Sequence, residues 1–329
     1  MAESIVMHDA IAEARPAGRA AYIWRRFRRH KAGMAGLIVL ILLVLACIII
    51  PMLSPFDLYE ANPVQFRAPA GTVNMFNGEV YYMGTDNLGR DIMKRLFIAG
   101  RVSISVALLS TTLMVILGTV LGAVAGYYGG LVDTILMRVT DFLLAMPLIP
   151  MFLFVLRLVR EAPALRPLWR EQGTDTFLTV ATIAGVFVLL GWMGMARLVR
   201  GQVLSLRSLQ FVEASRALGV SSRRIIFRHL LPNTAAPILV AATFAVGDFI
   251  ILESVLAFFN QGINDPPLPS LGNMLTTGQG FALYVTNLNP FEDIRGYMFL
   301  LPGFMVFATV LSINYIGDAL RSALDPHER

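Results

Sequence analysis

Apolar residues fall in long runs along this chain, and the shorter segments between them carry most of the charge. A helix needs roughly 20 consecutive apolar residues to cross a bilayer core of about 30 Å. Six runs suit this length, at residues 32–53, 101–127, 131–158, 176–196, 234–259 and 296–316. The pattern predicts an all-α polytopic membrane protein with six transmembrane helices.

The charged segments predict how the chain is oriented. The cluster WRRFRRHK, residues 24–31, precedes the first run and should hold the N-terminal segment on the cytoplasmic side. Six spans then return the tail to the same side. The predicted organisation is an N-terminal segment at 1–31, a first span at 32–53, an external loop at 54–98, a core at 99–320 with an external segment at 260–295, and a tail at 321–329.

Four arginines on the predicted outer side oppose this orientation, because positive charge normally accumulates on cytoplasmic loops. They are Arg157, Arg160, Arg166 and Arg170. Nearby acidic residues lower the local net charge, but the pattern of spans alone does not explain these arginines.

The amino-acid composition limits the protein class and the kinds of site that are expected. The chain is 56% hydrophobic and 15% charged, whereas a soluble domain is roughly 25% charged. The single cysteine excludes an internal disulfide, and the four histidines are scattered, so a metal site is not expected. The net charge of +5 favours cytoplasmic loops beside anionic lipid over nucleic acid.

Catalytic motifs are also missing from the sequence. The two lysines, Lys31 and Lys94, do not follow the glycine spacing of a phosphate-binding loop, and neither a GxSxG nor an HExxH motif occurs. No cofactor is expected in this chain. A secondary transporter, a channel, or the membrane half of a pump driven by another subunit remain as candidate functions.

Charged residues inside the predicted spans are candidate functional groups. Arg138 and Asp141 are three residues apart and share a helix face, so an ion pair involving these residues and Asp133 is predicted. Asp248 and Glu253, five residues apart in the fifth run, suggest either a proton relay or polar packing. Packing against a neighbouring span is the favoured interpretation for Glu253.

Gly118, Gly122 and Gly126 recur at four-residue steps in the second run. Rows of small residues let helix backbones approach closely in lipid. Packing within the chain is favoured over dimerisation.

A strongly basic segment after the fourth run predicts two short cytoplasmic helices. Ser208 can cap the first helix and Gly219 can end it in a left-handed conformation. A small and apolar face of this helix comprises Phe211, Ala214, Ser215 and Leu218. Ser221 or Ser222 can cap the second helix, which should stop at Pro232.

This basic segment resembles the EAA loop of binding-protein-dependent ABC importer permeases. It reads FVEASRALGVSSRRIIFRHLLPN over residues 211–233. The positions in register with the family motif are Glu213, Ala214, Gly219, Leu231 and Pro232. Ser215 replaces the second alanine, and His229 replaces an isoleucine, as is typical of the peptide and nickel branch.

Further blocks follow in the order of that branch and cover almost the whole chain. They include GTDNLGRDIMKRLFIAGRVSISVAL, MRVTDFLLAMP, GWMGMARLVRGQVLSLR, LESVLAFF, PSLGNML and GDALRSALDP. The chain is most similar to the second permease of dipeptide and oligopeptide importers. Asn260, Gln261 and Leu271 depart from the family pattern and leave the substrate open.

The resemblance implies a type I ABC importer permease fold in the cell membrane, with both termini cytoplasmic and a cytoplasmic coupling helix within residues 208–233. It also implies a homologous second permease, two ATPase subunits that bind ATP and magnesium, and an external solute-binding protein. The implied coupling residues are Phe211, Glu213, Ala214, Ser215, Leu218, Gly219, His229 and Pro232. Two alternatives stay open: pairing of Glu213 with Arg216 inside the loop, and a transporter or channel that works without ATPases.

Overall fold

The computed structural model describes residues 19–162, 176–263, 265, 268–282 and 294–324. The predictions for residues 1–18, for 163–175 with Arg166 and Arg170, and for the end of the tail at 325–329 lie outside these ranges.

Within the described ranges the chain is mainly helical. The helices in chain order are α1 (Arg19–Arg29), α2 (Lys31–Leu53), α3 (Ile92–Tyr128), α4 (Gly130–Leu144), α5 (Leu148–Glu161), α6 (Thr176–Leu206), α7 (Gln210–Ala217), α8 (Ser222–Ile225), α9 (Leu231–Phe258), α10 (Leu271–Ala282) and α11 (Ile294–Leu324). Strands β1 (Thr72–Val73) and β2 (Val80–Tyr81) form an antiparallel hairpin.

Five of the described helices are long and apolar enough to cross a membrane, and α4 with α5 forms a sixth candidate that is sharply bent. The prediction of one continuous third span is therefore corrected, since the two helices meet at 97°. The break lies at Ala145–Pro147, where Pro147 has no N–H group and disfavours helical geometry in the residue before it.

The core is built around α3 and α6, which pack closely along the glycine row of α3. A side-chain carbon on Gly118 would lie 2.8 Å from the carbonyl oxygen of Trp192, and one on Gly126 would lie 2.9 Å from that of Arg200. Because these contacts join two helices of one chain, the predicted intramolecular packing is confirmed. Helices α2, α9 and α11 complete the bundle.

A small folded segment separates α2 from α3. The hairpin pairs Thr72 with Tyr81, and the Tyr81 ring stacks on Phe56 with a centroid distance of 4.4 Å. Helix α3 begins at Ile92, well before the predicted start at 101, because Asp91 caps it by accepting a hydrogen bond from the Lys94 amide at 2.8 Å. The sequence predicted that this loop could hold structure of its own, which is confirmed.

The segment predicted as external, 260–295, contains helix α10, which the apolar pattern did not indicate. Ser270 and Asn273 cap its start reciprocally. The Ser270 amide donates to Asn273 Oδ1 at 3.1 Å, and the Asn273 amide donates to Ser270 Oγ at 3.2 Å. Helix α10 packs mainly against α11 and also touches α9.

Candidate functional site

Helix α7 and the turn that follows it carry most of the residues predicted to couple this chain to a partner. Val212 is fully buried and anchors the helix to the bundle. At its end, the Gly219 amide donates to the Arg216 carbonyl and the Val220 amide to the Ser215 carbonyl. This is the Schellman arrangement, and Gly219 adopts the left-handed φ of 74° that it requires. The predicted role of Gly219 as a helix end is confirmed.

The start of α7 differs from the prediction. Leu209, not Ser208, is the N-cap residue, and no side chain caps the helix. The Leu209 carbonyl accepts hydrogen bonds from the Val212 and Glu213 amides instead. The local turn is therefore closed by backbone groups.

The opposite face of α7 points away from the bundle. Leu218 is 83% exposed, and Phe211, Glu213 and Ala214 are also exposed. Ser215 is half-buried and donates its hydroxyl to the Phe211 carbonyl at 2.7 Å. Phe211 and Leu218 both leave apolar side chains exposed on this segment, and exposed apolar patches mark surfaces suited to a partner.

Arg216 lies over the ring of Tyr127, 4.9 Å from its centroid, and the Tyr127 hydroxyl is 3.4 Å from Ser222 Oγ. Among the described residues, Arg216 forms no ion pair with Glu213. The alternative that Glu213 pairs within the loop therefore has no support in the described geometry, and its carboxylate is available on the exposed face.

Pro232 does not stop the second short helix, which corrects the prediction. Helix α8 continues through a π-helical segment, Ile226–Leu230, into α9, so that Ser222–Phe258 forms one helix. The Leu231 amide bonds to the Ile226 carbonyl, five residues back. The wider π turn removes the clash that a proline makes with the carbonyl four residues before it. His229 lies in this segment, and its carbonyl accepts from Asn233 Nδ2 at 2.6 Å.

A basic concavity with a volume of about 550 Å³ lies on α8, the π-helical segment and the start of α9, which follow α7 along the chain. It is lined by Ser221, Arg223, Arg224, Phe227, Arg228 and Pro232. The candidate surface thus combines an apolar helix face with concentrated positive charge in the segment that follows it.

The acids of α4 do not pair with Arg138, which is exposed. Asp133 binds Arg200 of α6, with Nη2 to Oδ2 at 2.6 Å, and Asp141 binds Arg197 of the same helix. The prediction of an ion pair between Arg138 and Asp141 is therefore wrong. Both acids instead join α4 to α6 through ion pairs between residues 56 and 67 positions apart in sequence. The spacing of residues on one helix cannot reveal such pairs.

Glu253 is 1% exposed and lies where α3, α9 and α10 meet. Its Oε2 accepts a hydrogen bond from Ser103 Oγ at 3.2 Å, and Ser103 Oγ accepts one from the Leu271 amide at 3.1 Å. The favoured prediction of polar packing against a neighbouring span is confirmed for Glu253. Asp248, on the same helix, is exposed on the surface of the chain and has no hydrogen bond or ion pair with any described residue.

Sequence reasoning missed an ion-pair cluster formed by Asp86, Arg90, Arg95 and Asp265. Arg90 Nε binds Asp86 Oδ2 at 2.7 Å, Arg95 Nε lies 3.4 Å from the same oxygen, and Arg95 also binds Asp265. The Asp86 carboxylate is neutralised by these arginines. Within the described ranges no three His, Cys, Asp or Glu side chains are grouped so that they could hold a metal ion.

Comparison with known proteins adds independent findings. Residues 118–329 match the family described as binding-protein-dependent transport system inner membrane component. Residues 19–70 match the N-terminal TM domain of oligopeptide transport permease C.

Individual relatives span nearly the full chain. The oligopeptide transport system permease protein OppC of Haemophilus influenzae is 34% identical over 98% of this chain and 93% of its own length. OppC of Bacillus subtilis is 34% identical over 92% of this chain and 88% of its own length. The dipeptide transport system permease protein DppC of Bacillus subtilis is 33% identical over 93% and 85%, respectively.

Proposed function

Because the chain belongs to the binding-protein-dependent transport system inner membrane component family, we propose that it is a peptide-importing ABC permease which couples to separate ATPase subunits through α7. Similar relatives are named for oligopeptide and dipeptide transport, which makes a peptide the proposed substrate. The observation that carries the coupling role is the exposed face of α7 on a helix fixed by Val212.

The proposed contact is a helix lying in a groove of the partner. Such contacts use apolar anchors three or four residues apart on one helix face. Phe211, Ala214, Ser215 and Leu218 follow this spacing, and Glu213 can pair with a basic group of the ATPase. The basic concavity on α8 and the start of α9 offers the complementary contact for acidic groups.

The chain is proposed to lie in the cell membrane with its termini and α7 in the cytoplasm. Arginines cluster in α1 and again between Arg216 and Arg228, and positive residues mark the cytoplasmic side. A second permease would complete the pathway, and an external solute-binding protein would deliver the peptide. ATP and magnesium belong to the ATPase subunits, so no cofactor is assigned to this chain.

Two changes, one in α7 and one just after its end, test the coupling role. The complete transporter is reconstituted in proteoliposomes, and peptide-stimulated ATP hydrolysis is measured for Glu213→Ala and Gly219→Val. We expect each variant to lose about tenfold or more of the stimulated rate, because loss of a charge-assisted contact is worth roughly 1.5–3 kcal/mol. A β-branched residue at a left-handed φ also strains the end of α7.

The outer hairpin supplies matched controls. Glu79 is an exposed acid, and Gly78 has a φ of 73° with open space around it, as Gly219 does. Glu79→Ala and Gly78→Val should leave stimulated hydrolysis unchanged. Peptide uptake that persists without any ATPase subunit would instead support a secondary transporter or channel and contradict the proposal.

A further inference from the structure

Asp248 is an acidic residue with an unusual position in the membrane bundle. Helix α9 carries two acids, and Glu253 is buried and hydrogen-bonded, whereas Asp248 is exposed without a partner among the described residues. Asp248 precedes the end of the helix at Phe258 by ten residues, which is about 15 Å at 1.5 Å per residue. That depth is close to the middle of a bilayer core of about 30 Å.

Exposure of a carboxylate to lipid at this depth has a large free-energy cost. Charged side chains within transmembrane segments almost always face the bundle interior or a water-filled cavity, and they often mark the path of a substrate. The surface around Asp248 is therefore covered by protein or reached by water in the assembled transporter.

The shape of the chain agrees with an aqueous path. Asp248 lines a cavity of about 440 Å³ between α3, α4, α5, α6 and α9, within the range of small-molecule sites. Its walls are otherwise apolar, and one of them is a rigid aromatic group in which Phe249 stacks on Phe187 at 4.9 Å. Asp248 is the one charged side chain among the described residues that line it.

The break between α4 and α5 opens onto the same cavity. Leu144, at the end of α4, and Leu148 and Ile149, at the start of α5, line its wall. Irregular backbone at membrane depth is tolerated only where protein buries it or a water-filled cavity solvates it. Two independent features, an unpaired carboxylate and interrupted helices, thus converge on one place.

We propose that this cavity is part of the substrate path and that Asp248 binds the protonated amino terminus of a peptide in transit. The inference rests on the proposed function, since it takes a peptide as substrate. An ammonium group is common to peptides of every sequence and pairs with a carboxylate through charge-assisted hydrogen bonds. The apolar walls of the cavity would contact peptide side chains without selecting among them. A lipid acyl chain in the cavity would instead leave the Asp248 carboxylate unpaired.

Access to the cavity is tested by cysteine labelling. Asp248→Cys is placed in a Cys47→Ala background, and the assembled transporter in proteoliposomes is treated with a cationic, membrane-impermeant methanethiosulfonate reagent. We expect labelling that slows when a saturating tripeptide is transported. Leu42→Cys, on the exposed face of α2, is the matched control and should label slowly with or without peptide. Absence of labelling at position 248 would overturn the proposal.

Binding of the amino terminus is tested with Asp248→Asn. The KM for a labelled tripeptide with neutral side chains should rise about tenfold, because a hydrogen bond to a charged group is lost. Glu161→Gln, an exposed acid at the end of α5, should leave KM unchanged. An unchanged KM in Asp248→Asn would overturn the proposal. Loss of co-purification with the second permease would also overturn it, since Asp248 would then be an assembly contact.

The wild-type transporter separates this inference from the proposed function. If the wild-type complex fails to take up the tripeptide with ATP, the peptide-import function fails. If uptake is normal but position 248 is inaccessible or its change leaves KM unaltered, only the role of Asp248 fails.

Discussion

Asp91 shows how much a single residue can determine in the folded segment between α2 and α3. Its side chain is 2% exposed, caps α3 through the Lys94 amide, and leaves Oδ1 without a partner among the described residues. Burial raises the pKa of the Asp91 carboxyl, while the hydrogen bonds from the Lys94 and Met93 amides oppose part of that rise. Capping by Asp91 thus stabilises the folded chain, whereas the burial of its charge destabilises it.

Substitution separates these two effects. Asp91→Ala should destabilise the folded chain by about 1 kcal/mol, because an N-cap acceptor is lost. Asp91→Asn keeps an acceptor and removes the charge, so it should cost about 0.5 kcal/mol or less. Thermal unfolding of the purified protein in detergent measures both, and equal losses in the two variants would contradict the capping role.

The raised pKa of Asp91 also predicts a pH dependence. Above the ordinary value of 3.8, the unfolded chain releases the proton before the folded chain does. The folded state then binds more protons, and the free energy of unfolding falls as pH rises until the folded group also ionises. Asparagine does not titrate, so the free energy of unfolding of Asp91→Asn should rise relative to that of the wild type as pH increases from about 4. A difference that is constant with pH would contradict this.

The sequence indicated which acidic residues form ion pairs, but it did not identify the arginines that bind them. Asp133 and Asp141 were recognised as ion-pair formers from the sequence, yet each binds an arginine of α6. Spacing describes neighbours on one helix, whereas these pairs depend on how two helices cross. The same holds for Asp86, whose pairs with Arg90 and Arg95 the sequence did not reveal.

The glycine row of α3 governs how α3 and α6 pack. A side-chain carbon on Gly122 would overlap the carbonyl oxygen of Ala196. Gly122→Ala should therefore force the helices apart and destabilise the protein by about 1–3 kcal/mol, as overpacking does in other cores. Its measurement is the midpoint of thermal unfolding in detergent.

Helix α6 offers the matched control. Gly201 has no atom within 4 Å of the position that a side-chain carbon would take. Gly201→Ala should be neutral or slightly stabilising, because alanine is the better helix former by about 1 kcal/mol. Equal effects of the two substitutions would show that helix propensity, and not interhelix contact, explains the glycines.

The long apolar runs predicted the five described helices that are long and apolar enough to cross a membrane, because burial in lipid requires length and hydrophobicity. They did not reveal the bend at Ala145–Pro147, the π-helical segment or α10. Pro147 and Pro232 look alike in sequence, but one separates two helices and the other lies inside a continuous helix. The outcome depends on whether a neighbouring turn can widen to accommodate the proline.

Arg160 connects distant parts of the molecule. Its Nη2 donates to the Gly262 carbonyl at 2.7 Å and to the Gln261 carbonyl at 3.2 Å, so it ties the end of α5 to the connection between α9 and α10. Arg160 is one of the four arginines whose predicted outer position conflicts with the usual accumulation of positive charge on cytoplasmic loops. Its position is explained by these hydrogen bonds to backbone carbonyls. Arg157, in contrast, forms an exposed pair with Glu161 at 2.9 Å.

The two arginines make a matched pair of tests. Arg160→Met should lower the free energy of unfolding by about 1–3 kcal/mol, because partly buried carbonyls lose their donors. Arg157→Met should cost about 1 kcal/mol or less, as expected for an exposed ion pair. Chemical unfolding in detergent compares them, and similar losses would show that Arg160 does not hold the α9–α10 connection.

The continuous helix Ser222–Phe258 gives the molecule a lever with unequal arms. At 1.5 Å per residue, Ser222 lies about 39 Å from Asp248 and Phe258 about 15 Å from it. A tilt of about 10° around the level of Asp248 would sweep the arginine-rich end through about 7 Å and the outer end through about 3 Å. Such a tilt would couple a wide displacement of the arginine-rich end to a smaller displacement of the Phe258 end in the opposite direction.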